Sequence, residues 1–266
     1  MSAAPRTDAA APRTDAPALR VGADAPALRV DAVVVDIEGT VGSASHVQQV
    51  LFPYARARYA SWFAARRGRA RTAELLDLVR AAADDPALAE AGAVAALTAW
   101  TDADVKSPAL KAVQAAIWAD GYADGTLTGH VYEDVPGALE TWAAAGIARY
   151  VYSSGARPAQ RDWFRHSGRG DLTPLLDGYF DLDSAGGKHD PGSYRAIGRA
   201  IGVPPGRTLF LSDLPGELAA ATAAGWHAVG VARDGAPPTT GDLRWITTLA
   251  EIALRGPADD RKADQP

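Results

Sequence analysis

From Asp31 onward the chain alternates between short apolar runs and longer stretches whose apolar side chains recur every three or four positions. Ala32–Asp36, AVVVD, is an unbroken apolar run ending on a carboxylate, the mark of a strand covered on both faces. Ile147–Tyr152, Tyr179–Leu182, Thr208–Leu211 and Ala228–Val231 are further expected strands. Helical spacing falls between them, over Pro136–Ala145, Ala159–His166, Ser193–Ile201 and Glu217–Ala224. Gly146, Gly202 and Gly225 follow three of these as stop signals. Residues 45–129 carry helical patterns over Val47–Arg67, Thr72–Ala83 and Val105–Tyr122, with Pro108 near a start and no clear strand. This alternation predicts an α/β fold: a doubly wound parallel sheet built from residues 31–44 and 130–254. Residues 45–129 are then an inserted helical cap.

The ends read differently. APRTDA occurs at Ala4–Ala9 and Ala11–Ala16, and DAPALRV at Asp15–Val21 and Asp24–Val30. These units are too short for a solenoid and too poor in large apolar groups for a core, so residues 1–30 are expected to be a disordered tail. Residues 255–266 read as a second, polar tail.

Composition narrows the class. The 266 residues are 47% hydrophobic and 22% charged, ordinary for a globular protein. A net charge of −5 argues against nucleic acid or an anionic membrane as partner. There is no cysteine, hence no disulfide framework or thiolate metal site. No apolar run approaches the ~18–20 residues of a membrane span, and no signal-peptide core precedes the first strand. A cytoplasmic location is expected. The chain has 23 Arg, 4 Lys and no Asn, a bias that makes each lysine conspicuous. Lys188 is the only lysine between Lys111 and Lys262.

Ligands of open α/β sheets bind beyond the carboxyl ends of the strands. Asp36 follows VVV, Ser153 and Ser154 follow YVY, Asp213 follows LFLS, and Lys188 ends the loop SAGGK. Carboxylates, hydroxyls, one ammonium and glycines at strand ends suit phosphoryl chemistry. Asp36 can attack phosphorus, and Mg²⁺ held by carboxylates can offset the repulsion between the two anions. Ser153, Ser154 and Lys188 can hold phosphate oxygens. Glu38 can protonate the leaving oxygen and later activate water.

These residues carry a resemblance. DIEGT, SSG, the isolated lysine and SDLPGEL resemble the four motifs of the haloacid dehalogenase-like phosphatases. DIEGT with VLFPYA, HVYEDVPGAL, VYSSG, HSGRGDLTPLLDGYFD, GGKHDPGSY and LFLSDLPGELAAATAAGWHAV is similar to the enolase-phosphatases of methionine salvage, over roughly Asp31–Arg233. The resemblance implies a dual reaction. The substrate 2,3-diketo-5-methylthiopentyl-1-phosphate is first enolised. It is then dephosphorylated to the acireductone 1,2-dihydroxy-3-keto-5-methylthiopentene. By the same resemblance Asp36, Glu38 and Asp213 are the magnesium positions, one ion per subunit, and Asp36 is also the nucleophile. Glu38 can serve the metal through its backbone carbonyl, leaving its side chain for proton transfer. Ser153, Ser154 and Lys188 are the phosphate positions, and a monomer is implied. The alternative on the same fold is a general phosphatase for small sugar phosphates. A dehalogenase needs no metal and would leave Glu38 and Asp213 unexplained.

Other residues have plainer readings. Glu217 fits either a partner of the metal site or an acid in a helix's first turn, where the dipole favours it. The histidines at 46, 130, 166, 189 and 227 have no metal-ligand spacing. Phe52, Tyr54 and Trp118 lie in the cap, as core or as contacts for the methylthio tail. Arg66, Arg67, Arg69 and Arg71 read as a solvated face.

Overall fold

A computed structural model describes residues 27–235 and 243–259. Most of the duplicated segment, residues 1–26, and the terminal residues 260–266 lie outside the described residues.

The described strands are β1 Leu28–Arg29, β2 Ala32–Val35, β3 Ala148–Tyr152, β4 Gly178–Phe180, β5 Thr208–Ser212, β6 His227–Val231, β7 Trp245–Ile246 and β8 Leu254–Arg255. Six form one sheet in the order β4-β3-β2-β5-β6-β7, with every pair parallel. The chain winds outward from β2 through β3 to β4. It then returns to the other side of β2 as β5 and winds out through β6 to β7. The reversal lies at β2, and such a switch point opens a crevice at the strands' carboxyl ends. β3, β2 and β5 are neighbours there, so the residues following them are brought together by topology alone.

Both faces of the sheet are apolar, as the unbroken VVV run requires. Val33 and Val35 pack into one cluster with Leu139, Trp142 and Phe164. Val34 points the other way, among Tyr152, Tyr194 and Phe210. A third cluster, including Tyr59, Phe63, Leu75, Leu97 and Ile117, lies wholly inside the inserted helices. These are mainly Tyr59–Ala65, Ala70–Ala82, Glu90–Asp102 and Pro108–Ala123. The insertion therefore has a core of its own. None of the described helices is long and apolar enough to cross a membrane.

Three expectations shift. Val47–Arg67 is not one helix. Behind a short helical turn at Ala44–His46, it divides into a widened π turn at Val47–Leu51, Phe52–Arg56 and Tyr59–Ala65. Pro53 has no N–H to return to the preceding turn, and the ladder opens just ahead of it. Glu90–Asp102 is a helix that periodicity did not single out, because it fully buries only Ala93 and Leu97. The tail boundaries also move inward. Leu28–Arg29, placed in the tail, pairs in parallel with Leu254–Arg255, which straddles the expected end of the core. Leu28 N–H donates to Ala253 O at 2.9 Å and Val30 N–H to Arg255 O at 3.0 Å, and Val30 is buried. Two-residue strands are too short to leave a period in sequence.

Candidate active site

Asp36 is the first residue past β2, and its N–H extends the ladder to Leu211 O at 2.9 Å. The backbone then turns sharply, with the N–H groups of Thr40, Val41 and Gly42 all donating to Ile37 O. Gly39 makes this turn possible. It has φ +71°, and a Cβ there would collide with the Asp213 carboxylate beyond β5. The turn is also braced from the far side. Arg233 Nε donates to Thr40 O at 2.8 Å, and Arg233 pairs with Asp134 at 2.9 Å while lying over the Tyr132 ring. Gly39→Ala is expected to cost about 1–3 kcal/mol in stability, by forcing a left-handed non-glycine against Asp213. It is also expected to lower turnover, because the two aspartates move apart. Urea unfolding and a phosphatase assay on one preparation check both effects.

Lys188 reaches the same point from the other side. Its loop turns at Gly186, whose φ is +102°. The hydroxyls of Tyr152 and Ser193 hold the loop by donating to Gly186 O and Gly187 O, each at 2.8 Å, and Tyr194 OH donates to Lys188 O at 2.8 Å. The buried ammonium lies 2.6 Å from Asp36 Oδ1 and 2.7 Å from Glu217 Oε2. Burial alone would favour the neutral amine, but the two carboxylates outweigh it and hold Lys188 protonated above its ordinary pKa. Glu217, in the first turn of Pro215–Ala223, also accepts from Ser212 Oγ at 2.8 Å. Of its two readings from sequence, the structure adds a third: it positions the lysine.

Ser153 is buried just past β3, where its Oγ accepts from Gly155 N–H at 3.4 Å, and Ser154 beside it is exposed. Gln160 pins this loop by donating to Gly155 O at 2.6 Å and Phe180 O at 2.8 Å. Asp213 completes the group. Burial, then Asp36, push its carboxyl up to about 7, and its Oδ1 is buried with no hydrogen-bond partner.

Three carboxylates, Asp36, Asp213 and Glu217, thus crowd one ammonium. A phosphate dianion entering here meets net negative charge. A hard divalent cation beside Asp36 and the orphaned oxygen of Asp213 is the chemical complement of this set.

Residues 30–225 match the haloacid dehalogenase-like hydrolase family. The enolase-phosphatase E1 of Streptomyces avermitilis is 46% identical over 205 residues, 77% of this chain and 86% of that one. That of Frankia alni is 46% identical over 227 residues, 83% and 94% of the two chains. Among solved structures, the UTR4 protein of Saccharomyces cerevisiae matches with a TM-score of 0.71 at 28% identity, over 82% of this chain and 98% of that one. The chain belongs to the enolase-phosphatases of the haloacid dehalogenase-like family.

In this enolase-phosphatase the residues expected from sequence divide into two groups. Asp36, Ser153, Lys188 and Asp213 meet at the ends of β2, β3 and β5 and in the loop past β4. Glu38 turns away. No three acidic or histidine side chains of the described residues converge closely enough to hold a metal, so a side-chain triad of Asp36, Glu38 and Asp213 is not formed. The turn about Ile37 O instead sends the Glu38 carboxylate into a cleft of about 240 Å³ under the cap, lined also by Val47, Gln48, Phe52, Thr101, Asp104 and Lys106. The carboxylate is reachable by solvent yet crowded by the cleft walls. Crowding, then Asp36, raise its pKa, against the opposing pull of Lys188, Lys106 and Lys111. Phe52 lines this cleft and stacks on Trp118, whose Nε1–H donates to Leu51 O at 2.8 Å, while Tyr54 bonds Thr126 at 2.7 Å.

Proposed function

We propose that this chain converts 2,3-diketo-5-methylthiopentyl-1-phosphate, through its enol, to acireductone and phosphate, as a monomer dependent on one Mg²⁺. The observation that supports it most is Lys188 bridging Asp36 and Glu217 at the switch point, in a chain 46% identical to proteins named enolase-phosphatase E1. Asp36 and Asp213 would hold Mg²⁺ by their side chains, and Glu38 by its backbone carbonyl. The ion, when bound, supplies charge that lets phosphate approach the nucleophile.

Lys188 holds Asp36 by one oxygen and leaves the other to attack phosphorus. The Asp36 O–P bond forms as the ester P–O bond breaks. Glu38, whose side chain lines the cleft under the cap, gives a proton to the departing oxygen. Glu38 then takes a proton from water, which attacks phosphorus and restores Asp36. Ser153, Ser154 and Lys188 hold the phosphate oxygens through both steps.

The test is an assay of the diketone phosphate with Mg²⁺ and then with EDTA. Enol absorbance and phosphate release, both lost in EDTA, are expected. Phosphate release from small sugar phosphates without an enol signal would instead favour a general phosphatase.

The Asp213 carboxyl gives a second check. Unfolded it titrates near 3.8, and in the cation-free fold near 7. A raised pKa means that its contribution is full below about 3.8 and is lost as pH climbs to about 7. A bound cation replaces that proton. Mg²⁺ is therefore expected to raise Tm more at about pH 8 than at about pH 5.5. Equal calorimetric shifts at both would take Asp213 out of the metal site.

A further inference from the structure

Arginine outnumbers lysine 23 to 4 in this chain, and the three described lysines all act electrostatically on Glu38. Lys188 sits between Asp36 and Glu217. Lys111, on the cap helix Pro108–Ala123, reaches the core loop with Nζ 3.4 Å from Ser154 O. Lys106 lines the cleft wall with Glu38. It sits in the turn between two cap helices, Glu90–Asp102 and Pro108–Ala123, and pairs with Asp104 at 2.7 Å. Asp104 holds a left-handed backbone, φ +49°, at a helix end where glycine fits without strain. An aspartate there keeps a carboxylate beside Lys106. The pair remains open to solvent, so the ammonium is free to meet a ligand.

The cleft lining is mixed. Val47 and Phe52 supply apolar surface, and Lys106 supplies the one positive charge, beside the carboxylates of Glu38 and Asp104. Phosphate is already served by Lys188 and the serines. The remaining polar feature of the substrate is its pair of adjacent carbonyl oxygens.

We propose that Lys106 contacts these carbonyl oxygens and stabilises the negative charge that develops on them during enolisation, with Asp104 positioning it. This rests on the diketone reading above. In the step, the C1–H bond breaks and its proton passes to the Glu38 carboxylate. The electron pair becomes the C1–C2 double bond, and the carbonyl π pair moves onto the C2 oxygen beside Lys106. That oxygen takes the proton back from Glu38, so the step is an isomerisation with no co-reactant, and the solvent-exposed Glu38 takes up a proton from water before the phosphoryl step.

The test compares wild type, Lys106→Ala and Lys106→Arg on two substrates, the diketone phosphate and an alkyl monophosphate without carbonyls. Lys106→Ala is expected to lose ~10²-fold in kcat/KM on the diketone, the scale of removing one charge-stabilising donor, and ~10-fold or less on the alkyl ester. Lys106→Arg is expected to recover most of the loss. A second readout needs no phosphate release. Deuterium uptake at the carbon next to the carbonyl of a non-hydrolysable phosphonate diketone, followed by NMR in D₂O, is expected to slow in Lys106→Ala. Equal losses on both substrates, no loss, or unchanged deuterium uptake overturns the inference. A wild type inert toward the diketone overturns the reading beneath it as well, and is told apart because it appears before any variant is made.

Discussion

Asp36→Asn is expected to abolish turnover and leave the fold intact. The substitution keeps shape in a side chain that is only 4% exposed, and the amide oxygen can still accept from Lys188. What it removes is the anionic oxygen that attacks phosphorus. Losses on removing a nucleophile run to ~10⁴-fold or more, because the neighbouring groups have nothing left to assist. Stability should hold or rise, since Asp36 crowds Asp213 and raises its pKa. Phosphate release and thermal unfolding on the same sample read both effects. Substantial residual release by a folded variant would rule out attack by Asp36.

Lys188→Ala is expected to fail in two separable ways. The ammonium lies between Asp36 and Glu217, and its loss leaves two buried carboxylates facing each other without a cation. Breaking a buried pair this way costs about 3–5 kcal/mol. The rate is expected to fall at least ~10²-fold, because a charge that holds the phosphate oxygens is gone. Adding Glu217→Gln separates the effects. It removes one of the stranded charges, so stability should return in part while the rate does not. A double variant that regains both would reduce Lys188 to a structural role; a single variant with near-wild-type rate would remove it from the site.

The residues that follow strands were legible because the signal was local. AVVVD states a buried strand and a carboxylate in five consecutive residues, and LFLSD does the same for Asp213. Parallel neighbours at the switch point then leave little freedom in where Asp36, Ser153 and Asp213 meet. Lys188 was legible because lysine is scarce. Glu217 was not resolved, since an acid in a helix's first turn looks the same whether it faces solvent or a buried lysine. The direction of Glu38 depends on hydrogen bonds to one carbonyl, Ile37 O, which leave no mark in sequence. Lys106 lay hidden for a third reason: it is far along the chain from Glu38, and only the folding of the cap over β2 brings them to one cleft.

The most direct test of the whole is a single turnover of the diketone phosphate with excess enzyme and Mg²⁺, following enol absorbance and free phosphate in the same mixture. Enolisation before dephosphorylation predicts that absorbance rises ahead of phosphate, and that both vanish when EDTA is present from the start. Phosphate appearing first, or with no enol absorbance at any time, would contradict the dual reaction and leave a phosphatase of another substrate on the same fold.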